Sequence, residues 1–373
     1  MLRKEKIQMI KVMQILTDTN IGGAGIWLLN FLKSYDREKY DVFVALPPKS
    51  ALADRVSALN VPIVEIAGIE DCSFSLPAVR RIMNVIKKEK PMVVHTHASL
   101  SARIAAKLYN VPVVHTRHCL EDKKAFPKNI IYKLINSALS DHVIGVSKAV
   151  TDNLIQDGIK EDKLSLVYNG ITPLRRYNEE ERKKVRQEFG IPQNAVVVGI
   201  VARLEEVKNP LLFVKAAKIV AEKVPDVFFL IVGEGSLRQK VEAAARPIAD
   251  KVHITGYLTD VERAYNAMDI LTLTSIKEAL SISLLEGQSI GLPVISTDSG
   301  GPAEIITPTA NGILTPNGDE TALADAIVHL IQNPEKRDIF GKIGKNMVIN
   351  NFGSSAMADA IAKIYESLTG KDE

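Results

Sequence analysis

The chain has 373 residues, a length that fits two domains of roughly 100–200 residues each. Hydrophobic residues make up 46% and charged residues 24%, the composition of a globular rather than a disordered protein. The formal net charge of +3 is too small to indicate nucleic-acid binding, although a mild basic excess suits an anionic ligand.

Short apolar runs alternate with longer helical patterns along the first half of the chain. Strands are predicted at Ile10–Thr17, Val42–Ala45, Ile63–Glu65, Val93–His97, Val113–Thr116, His142–Val146 and Leu164–Val167. Helices are predicted at Ile26–Lys33, Ala51–Leu59, Pro77–Lys88, Leu100–Leu108 and Lys148–Asp157. This βαβα order predicts a mostly parallel sheet that is covered on both faces.

A charged segment, Arg175–Gln187, interrupts this order, and we interpret it as the join between two domains. The pattern then restarts, with strands predicted at Val196–Val201, Phe228–Val232, His253–Ile254, Ile270–Thr274, Pro293–Thr297 and Gly312–Leu314. Asn209-Pro210 predicts a capped helix start before Leu211–Lys223. The last predicted helix, Ser354–Thr369, could belong to either domain. Two parallel sheets would bind ligands outside the carboxyl ends of their strands.

Cysteine usage and hydrophobicity point to the cytoplasm. Cys72 and Cys119 form neither a CxxC pair nor a zinc spacing, which predicts a reduced protein without a disulfide framework. Residues 12–18 turn polar too soon for a signal peptide. No run approaches the roughly 18 apolar residues of a spanning helix, which leaves only peripheral attachment at the inner face of a membrane open.

Glycines crowd the turn between the first strand and the first helix, in Gly22-Gly23-Ala24-Gly25. They let the backbone turn sharply and approach a ligand in front of a helix N-terminus. The run is not GxGxxG, and no acidic residue is suitably placed about 20 positions later, so a dehydrogenase is a poor fit. The alternative is a tight turn without a ligand.

Two cations, Arg203 and Lys208, lie five residues apart in the loop after the strand Val196–Val201. A guanidinium grips phosphate oxygens as a fork and an ammonium adds a point charge, so the pair suits a phosphate ligand. The alternative is a solvated loop in which Glu205 and Glu206 pair with these cations.

Two carboxylates, Glu278 and Glu286, are separated by seven residues where a helix follows a strand. Eight helical steps span about 12 Å, so one carboxylate could reach a sugar and the other a ribose. The first helical amides, around Ser281 and Ser283, would meet phosphate between them. The alternative is an amphipathic helix with two surface glutamates.

His118 ends a strand of the first half, where it could bind a sugar hydroxyl or a developing charge. A purely structural histidine is the alternative. His95 and His97 lie on one strand face, which raises the question of a metal, but no carboxylate is close enough in sequence to complete a site. The sequence also lacks Asp-x-Asp, so arginine, lysine and helix ends would have to meet the charge of a diphosphate.

Taken in order, these stretches resemble family 4 glycosyltransferases, retaining α/β enzymes with two facing Rossmann-like domains (the GT-B fold) and an interdomain cleft. The resemblance covers nearly the whole chain. It rests on the four-residue Gly22–Gly25 run, Thr116-Arg117-His118, Asp141–Ser147, Asn169-Gly170, Arg203 with Lys208, Gly233-Glu234-Gly235, Gly256, Asp269, Ser275-x-x-Glu278-x7-Glu286, Gly291–Val294 and Gly300–Glu304.

The resemblance implies a donor site with named roles. Its catalytic residues are His118 beside the reacting sugar, Arg203 and Lys208 on the diphosphate, and Glu278 on the sugar. Gly23 would approach the phosphates, the backbone around Tyr257 and Leu258 would lie near the base, and Glu286 would hold the ribose. The other donor-binding residues that the resemblance implies are Gly22, Gly233, Leu280, Ser281 and Ile282. No metal or other cofactor is implied. The implied domains are an acceptor-side domain, 1–173, a donor-binding domain, 174–352, and a helix, 353–373, that packs back on the first.

The function that follows is sugar transfer from a nucleotide-sugar, a UDP-sugar first and a GDP-sugar second, to a glycan or lipid-linked acceptor in polysaccharide or glycoconjugate synthesis. Transfer would proceed with retention and without a metal. Ala279-Leu280-Ser281 departs from the family's usual glycine- and phenylalanine-containing run, which leaves the sugar open. Two alternatives stand: a nucleotide-sugar 2-epimerase on the same fold, and a non-catalytic binding subunit.

Two lysine groups, 87–90 and 123–128, would suit an anionic membrane or serve as ordinary surface charge.

Overall fold

The computed structural model describes residues 9–121 and 135–370. The chain forms two compact units: unit 1 holds the chain up to Gly170 and again from Ser354, and unit 2 holds Ile171–Gly353. Within the described residues no helix has the length and apolar character needed to cross a bilayer. The lysines of the 123–128 group lie outside the described residues.

Unit 1 is built on a seven-stranded sheet in which all neighbouring strands run parallel, in the order β3-β2-β1-β4-β5-β6-β7. The strands are β1 (Ile10–Ile15), β2 (Tyr40–Leu46), β3 (Ile63–Glu65), β4 (Val93–Thr96), β5 (Val113–Arg117), β6 (His142–Gly145) and β7 (Leu164–Leu166). The helices with defined bounds are α1 (Gly23–Ser34), α2 (Ala53–Ser57), α3 (Leu76–Glu89), α4 (Leu100–Leu108), α5 (Lys148–Gln156) and the last helix of the chain, α14 (Ser354–Thr369).

Apolar side chains cover both faces of this sheet, as the unbroken hydrophobic strands predict. One cluster packs α1 and α14 against the sheet and includes Trp27, Ile361 and Tyr365. The other packs α3 and α4 against the opposite face and includes Met13 and Ile82. The last helix is therefore an integral part of the core of unit 1.

Unit 2 repeats the architecture with a six-stranded parallel sheet in the order β10-β9-β8-β11-β12-β13. Its strands are β8 (Val196–Val201), β9 (Val227–Val232), β10 (Val252–Gly256), β11 (Ile270–Leu273), β12 (Val294–Thr297) and β13 (Gly312–Thr315). Its helices are α6 (Glu179–Glu188), α7 (Pro210–Lys223), α8 (Arg238–Ala245), α9 (Glu262–Ala267), α10 (Ile282–Ser289), α11 (Pro302–Ile305), α12 (Glu320–Gln332) and α13 (Pro334–Asn351). The prediction of two Rossmann-like α/β domains is confirmed.

Two local features differ from the expectation. The charged segment around residues 175–187 forms α6 within unit 2, because Arg182 and Arg186 both bind the carboxylate of Asp269, at 2.5 and 2.6 Å. Helix α7 begins at Pro210 as predicted, but Asn209 stands in the left-handed region with a φ of 45° and its side chain makes no cap hydrogen bond.

Each sheet has a point at which its strand order reverses, and ligands of open parallel sheets bind at the carboxyl ends of the strands there. In unit 1 this point lies between β1 and β4. In unit 2 it lies between β8 and β11. The glycine run follows β1, the two cations follow β8 and Glu278 follows β11.

Candidate active site

The loops after β8 and β11 lie side by side because these two strands are neighbours in the sheet. The Thr274 hydroxyl donates to the carbonyl oxygen of Lys208 at 2.9 Å. The Ile276 amide donates to the carbonyl oxygen of Val207 at 2.8 Å. The two loops therefore form one surface at the carboxyl edge of the sheet.

Lys208 and Glu278 form an ion pair on this surface, between the ammonium Nζ and Oε2 of the carboxylate. The Ser275 hydroxyl donates to the same oxygen at 2.9 Å. The two charged side chains are only 21% and 12% exposed. The structure thus joins the motifs of two separate loops, which are 70 residues apart in the chain.

Arg203 lies on the exposed side of this loop. Glu205 binds the amide and hydroxyl of Ser236, at 2.9 and 2.6 Å, instead of forming an ion pair with Arg203. Glu206 lies 3.8 Å from Lys240. Among the described residues, no ion pair or side-chain hydrogen bond is found for Arg203. The hydrogen bonds from Ser236 lower the pKa of the Glu205 carboxyl, and the charge of Arg203 acts on Glu205 only by lowering that pKa further. The guanidinium is available to an anionic ligand.

Glycines hold these loops together by allowing close backbone contact. Gly233 has a φ of +141°, and a Cβ added there would lie 1.9 Å from the carbonyl oxygen of Ala202. A Cβ at Gly301 would lie 2.0 Å from the carbonyl oxygen of Ala279. The backbone contact next to Arg203 therefore requires glycine at position 233. This requirement is independent of any role of Gly233 in binding a donor.

Helix α10 begins where the second loop ends. The Ser281 hydroxyl caps it by accepting a hydrogen bond from the Leu284 amide at 3.3 Å. The Leu280 and Ser281 side chains are buried, so a ligand would meet this turn mainly through backbone amides such as that of Ile282. The helix start therefore offers N–H donors and the positive end of the helix dipole.

Glu286 lies on the same helix and is held by Tyr265, whose hydroxyl donates to Oε2 at 2.8 Å. Tyr265 is fully buried, and burial, together with the Glu286 charge, raises its pKa well above the ordinary value of 10.0. The phenol therefore remains a hydrogen-bond donor and fixes the carboxylate. This partner was missed by the sequence reasoning, since no local pattern connects residues 265 and 286.

The segment after β10 carries Tyr257 and Leu258. Gly256 turns the chain there with a φ of +77°. The Tyr257 side chain is 55% exposed, which is unusual for so large a ring. An exposed aromatic ring can stack on a planar base.

In unit 1, Gly22 and Gly23 form the start of α1 next to the reversal point of the sheet. A Cβ added at either position would meet no atom within 4 Å. Neither residue has a positive φ. The turn itself does not require glycine here, and the open space fits the interpretation that a ligand approaches the backbone closely.

His118 follows β5 and belongs to a buried group of polar side chains. Its Nε2 lies 2.8 Å from Nδ1 of His97, and Nε2 of His97 lies 2.9 Å from Oε1 of Gln14. The Gln14 amide nitrogen donates to the Tyr365 hydroxyl at 2.8 Å. That hydroxyl also lies 2.6 Å from Nδ1 of His95.

Burial keeps these imidazoles neutral. It lowers the pKa of His95 and of His118 to about 3, and that of His97 well below its ordinary value of 6.5. No group of three or more His, Cys, Asp or Glu side chains suited to a metal is found among the described residues. The histidines are tied to Gln14 and Tyr365, two partners that the sequence analysis did not single out.

Comparison with known proteins matches both halves of the chain to glycosyltransferase families. The family model for glycosyltransferase family 4 matches residues 21–175, and the model for glycosyl transferases group 1 matches residues 181–347.

Individual proteins match over nearly the full length. The UDP-Gal:alpha-D-GlcNAc-diphosphoundecaprenol alpha-1,3-galactosyltransferase of Escherichia coli is 28% identical, covering 94% of this chain and 97% of the relative. The crystal structure of Anabaena HepE in complex with UDP-glucose superposes with a TM-score of 0.85 at 21% identity, covering 96% of this chain and 99% of that one. A structure described as a UDP-N-acetylglucosamine 2-epimerase from Listeria monocytogenes has a TM-score of 0.69 at 18% identity, covering 98% of each chain. With the two family matches spanning both units, the chain belongs to the family 4 glycosyltransferases of the GT-B fold, enzymes that use nucleotide-sugar donors.

Proposed function

We propose that this enzyme transfers the sugar of a UDP-sugar to a glycan or lipid-linked acceptor, with retention of configuration and without a metal. The observation that carries the proposal is the Lys208–Glu278 ion pair at the reversal point of the second sheet. It stands directly before helix α10, from which Glu286 is presented in a fixed orientation. A cation beside one carboxylate, with a second carboxylate further along the helix, suits a ligand that has a diphosphate between two hydroxyl-rich sugars.

The donor is oriented by the chemistry of these groups. Carboxylates accept hydrogen bonds from hydroxyls, so Glu278 takes the transferred sugar and Glu286 the ribose. The diphosphate lies between them, against Lys208, Arg203 and the first amides of α10. Tyr257 is then the side chain for the base. Lys208 turns from Glu278 toward the phosphate when the donor binds, which frees the carboxylate for sugar hydroxyls.

Two comparisons support uridine as the base. HepE was crystallised with UDP-glucose, and the Escherichia coli relative is named for UDP-Gal. The latter's name also gives a diphosphoundecaprenol acceptor, which supports a lipid-linked acceptor here. A guanosine donor remains the second choice.

Catalysis in this proposal is electrostatic. As the bond between the sugar and the phosphate breaks, negative charge grows on the leaving diphosphate, and Arg203, Lys208 and the start of α10 stabilise it. These cations and amides supply the positive charge that a metal supplies in other transferases. His118 is neutral and contacts the sugar as a hydrogen-bonding group, not as an acid.

A thermal-shift panel with UDP, GDP, ADP and CDP, each with magnesium and with chelator, tests the donor. A shift of a few degrees with UDP alone, unchanged by chelator, is the expected result. A shift that requires magnesium would remove the metal-free proposal, and a shift with GDP alone would remove uridine.

Arg203→Ala tests the catalytic role. We expect a loss mainly in kcat, because the guanidinium acts on charge that develops in the transition state. Turnover within about threefold of wild type, less than the contribution of one charged hydrogen bond, would show that Arg203 does not have this role. Product analysis by NMR reports the configuration at the anomeric carbon.

The 2-epimerase is the competing function, and its support is a fold likeness at 18% identity. An epimerase acts on the donor alone. Incubating the enzyme with the donor and no acceptor, followed by analysis of the sugar, separates the two: a changed sugar favours the epimerase, an unchanged one the transferase.

A further inference from the structure

One continuous chain of hydrogen bonds in unit 1 connects the last helix to His118. It passes from the Tyr365 hydroxyl to the Gln14 carboxamide (2.8 Å), from Gln14 to His97 (2.9 Å) and from His97 to His118 (2.8 Å). Gln14 and Tyr365 are fully buried, and His97 is nearly so. Water therefore does not compete for these bonds.

The position of each hydrogen in this chain depends on its neighbour. Gln14 donates through Nε2 to Tyr365, so its Oε1 must accept, and the hydrogen of neutral His97 is on Nε2. Nδ1 of His97 is then bare and accepts from His118, which places the hydrogen of His118 on Nε2. Turning the Gln14 amide around would reverse every bond and move the hydrogen of His118 to Nδ1.

The surroundings of His118 favour the first arrangement. Its Nδ1 is buried and has no hydrogen-bond partner among the residues that the structure describes. An N–H without an acceptor is the rarer and more costly defect in a protein interior, whereas an unmatched lone pair is better tolerated. Nδ1 is therefore the nitrogen that carries no hydrogen.

We propose that Gln14, His97 and Tyr365 are positioning residues that hold His118 as the neutral Nε2–H tautomer. The proposal rests on the proposed function, in which His118 contacts the transferred sugar. A group that binds the bare Nδ1 must donate a hydrogen.

NMR of the full-length enzyme labelled with 15N-histidine tests the tautomer, because protonated and bare ring nitrogens have widely separated shifts. The spectrum of His118→Ala identifies the His118 signals. We expect a hydrogen on Nε2 and a bare Nδ1 between pH 6 and 8 in the wild type. A hydrogen on Nδ1 of His118 would overturn the proposal.

Tyr365→Phe tests the connection through the chain. It removes the nearer acceptor of the Gln14 amide and leaves only the longer contact of 3.4 Å with Nδ1 of His95, so we expect a second tautomer of His118 to appear. The matched control is Tyr40→Phe, which removes another hydroxyl on the same helix contact, 2.7 Å from Glu366. The control should leave the His118 signals unchanged. An unchanged His118 spectrum in Tyr365→Phe would also overturn the proposal.

Gln14 gives a second test that does not depend on the stability of Tyr365→Phe. Gln14→Met removes both hydrogen bonds, whereas the ionised carboxylate of Gln14→Glu can only accept, so at a pH at which it is ionised it retains the hydrogen on Nε2 of His97. We expect mixed tautomers of His118 in the first variant and the wild-type tautomer in the second. The reverse result would refute the proposed order of the bonds.

Kinetics then separate this proposal from the proposed function. We expect Tyr365→Phe to lower kcat/KM for the donor roughly threefold to tenfold, the contribution of about one neutral hydrogen bond. Binding of UDP alone should not change, since neither Tyr365 nor its hydrogen-bond partners are among the groups proposed to contact UDP. A wild-type enzyme with the expected spectrum but no transfer to any acceptor would overturn the proposed function and leave the tautomer supported.

Discussion

Replacing Gly23 with alanine distinguishes a glycine needed by the fold from one needed by a ligand. Gly23 is the first residue of α1, its φ is not positive, and an added Cβ meets no atom within 4 Å. The methyl group costs no packing, and it removes backbone freedom from the unfolded chain. We therefore expect Gly23→Ala to stabilise unit 1 by about 0.4–1 kcal/mol, which raises Tm by about 1–4 °C.

Gly23→Ala should lower the transferase activity although it raises the stability. If a phosphate oxygen reaches the Gly23 amide, the methyl prevents the closest approach and a charged hydrogen bond is lost. Such a bond contributes about 1.5–3 kcal/mol, so kcat/KM for the donor should fall roughly tenfold to hundredfold. Calorimetry and initial-rate assays on the same preparation measure both effects.

The control is Gly25→Ala in the same helix, where an added Cβ lies 3.1 Å from both methyl carbons of Leu52. This variant should lose the stability gain because Leu52 must move. A Gly23→Ala enzyme with wild-type kcat/KM would refute the reasoning and leave the turn without a ligand.

Three further changes have expected outcomes. Gly233→Ala forces Ala202 away from an approach of 1.9 Å, so we expect a Tm loss of several degrees and no measurable UDP binding. Tyr265→Phe releases Glu286 and should raise KM for the donor by about threefold to tenfold with little change in kcat. The free energy of unfolding should fall with pH below about 6.5, by up to about 1.4 kcal/mol per unit for each buried imidazole such as His95, in urea titrations.

The sign of the pH effect follows from the lowered pKa values. The folded pKa of His95 is about 3, well below the unfolded value of 6.5, so the unfolded chain binds more protons between these limits. Stability is complete above pH 6.5 and decreases toward pH 3. His95→Gln should reduce the slope of the free energy of unfolding against pH by the amount that corresponds to one proton. An unchanged slope would contradict the lowered pKa of His95 in the folded protein.

Gly318→Ala is the control for Gly233→Ala. Gly318 also has a positive φ, of +82°, but an added Cβ would meet nothing within 4 Å. It should lose only about 1–2 kcal/mol from backbone strain and should bind UDP normally. Equal losses in both variants would show that the contact with Ala202 is unimportant.

The fold was predictable because short runs of consecutive apolar residues indicate strands that are buried on both faces. The run Val227–Val232 is buried at every position, and only a strand covered on both faces uses such a run. Polar motifs that follow strand ends then indicated Arg203, Lys208 and Glu278 as candidate site residues. The strands around them bring the loops together by the regular geometry of a parallel sheet.

The partners of the site residues were not predictable in the same way. Gln14 and Tyr365 are 351 residues apart in the chain, and a glutamine inside an apolar strand was the sole hint of a buried polar group. Tyr265 lies in the short helix α9, with nothing near it in sequence to mark it as the donor to Glu286. The charged segment of α6 misled because its arginines face the buried end of Asp269 rather than solvent.

The return of the last helix to unit 1 has a consequence for synthesis on the ribosome. Chain growth produces the first 170 residues of unit 1, then all of unit 2, and only afterwards the helix that carries Met357, Ile361 and Tyr365 into the first core. Unit 2 can fold once all of its residues have left the ribosome. Unit 1 lacks α14 until the end of synthesis, so the apolar face of α1 that packs against α14 stays exposed until then. In the nascent chain, unit 2 is therefore complete before the histidine network of unit 1.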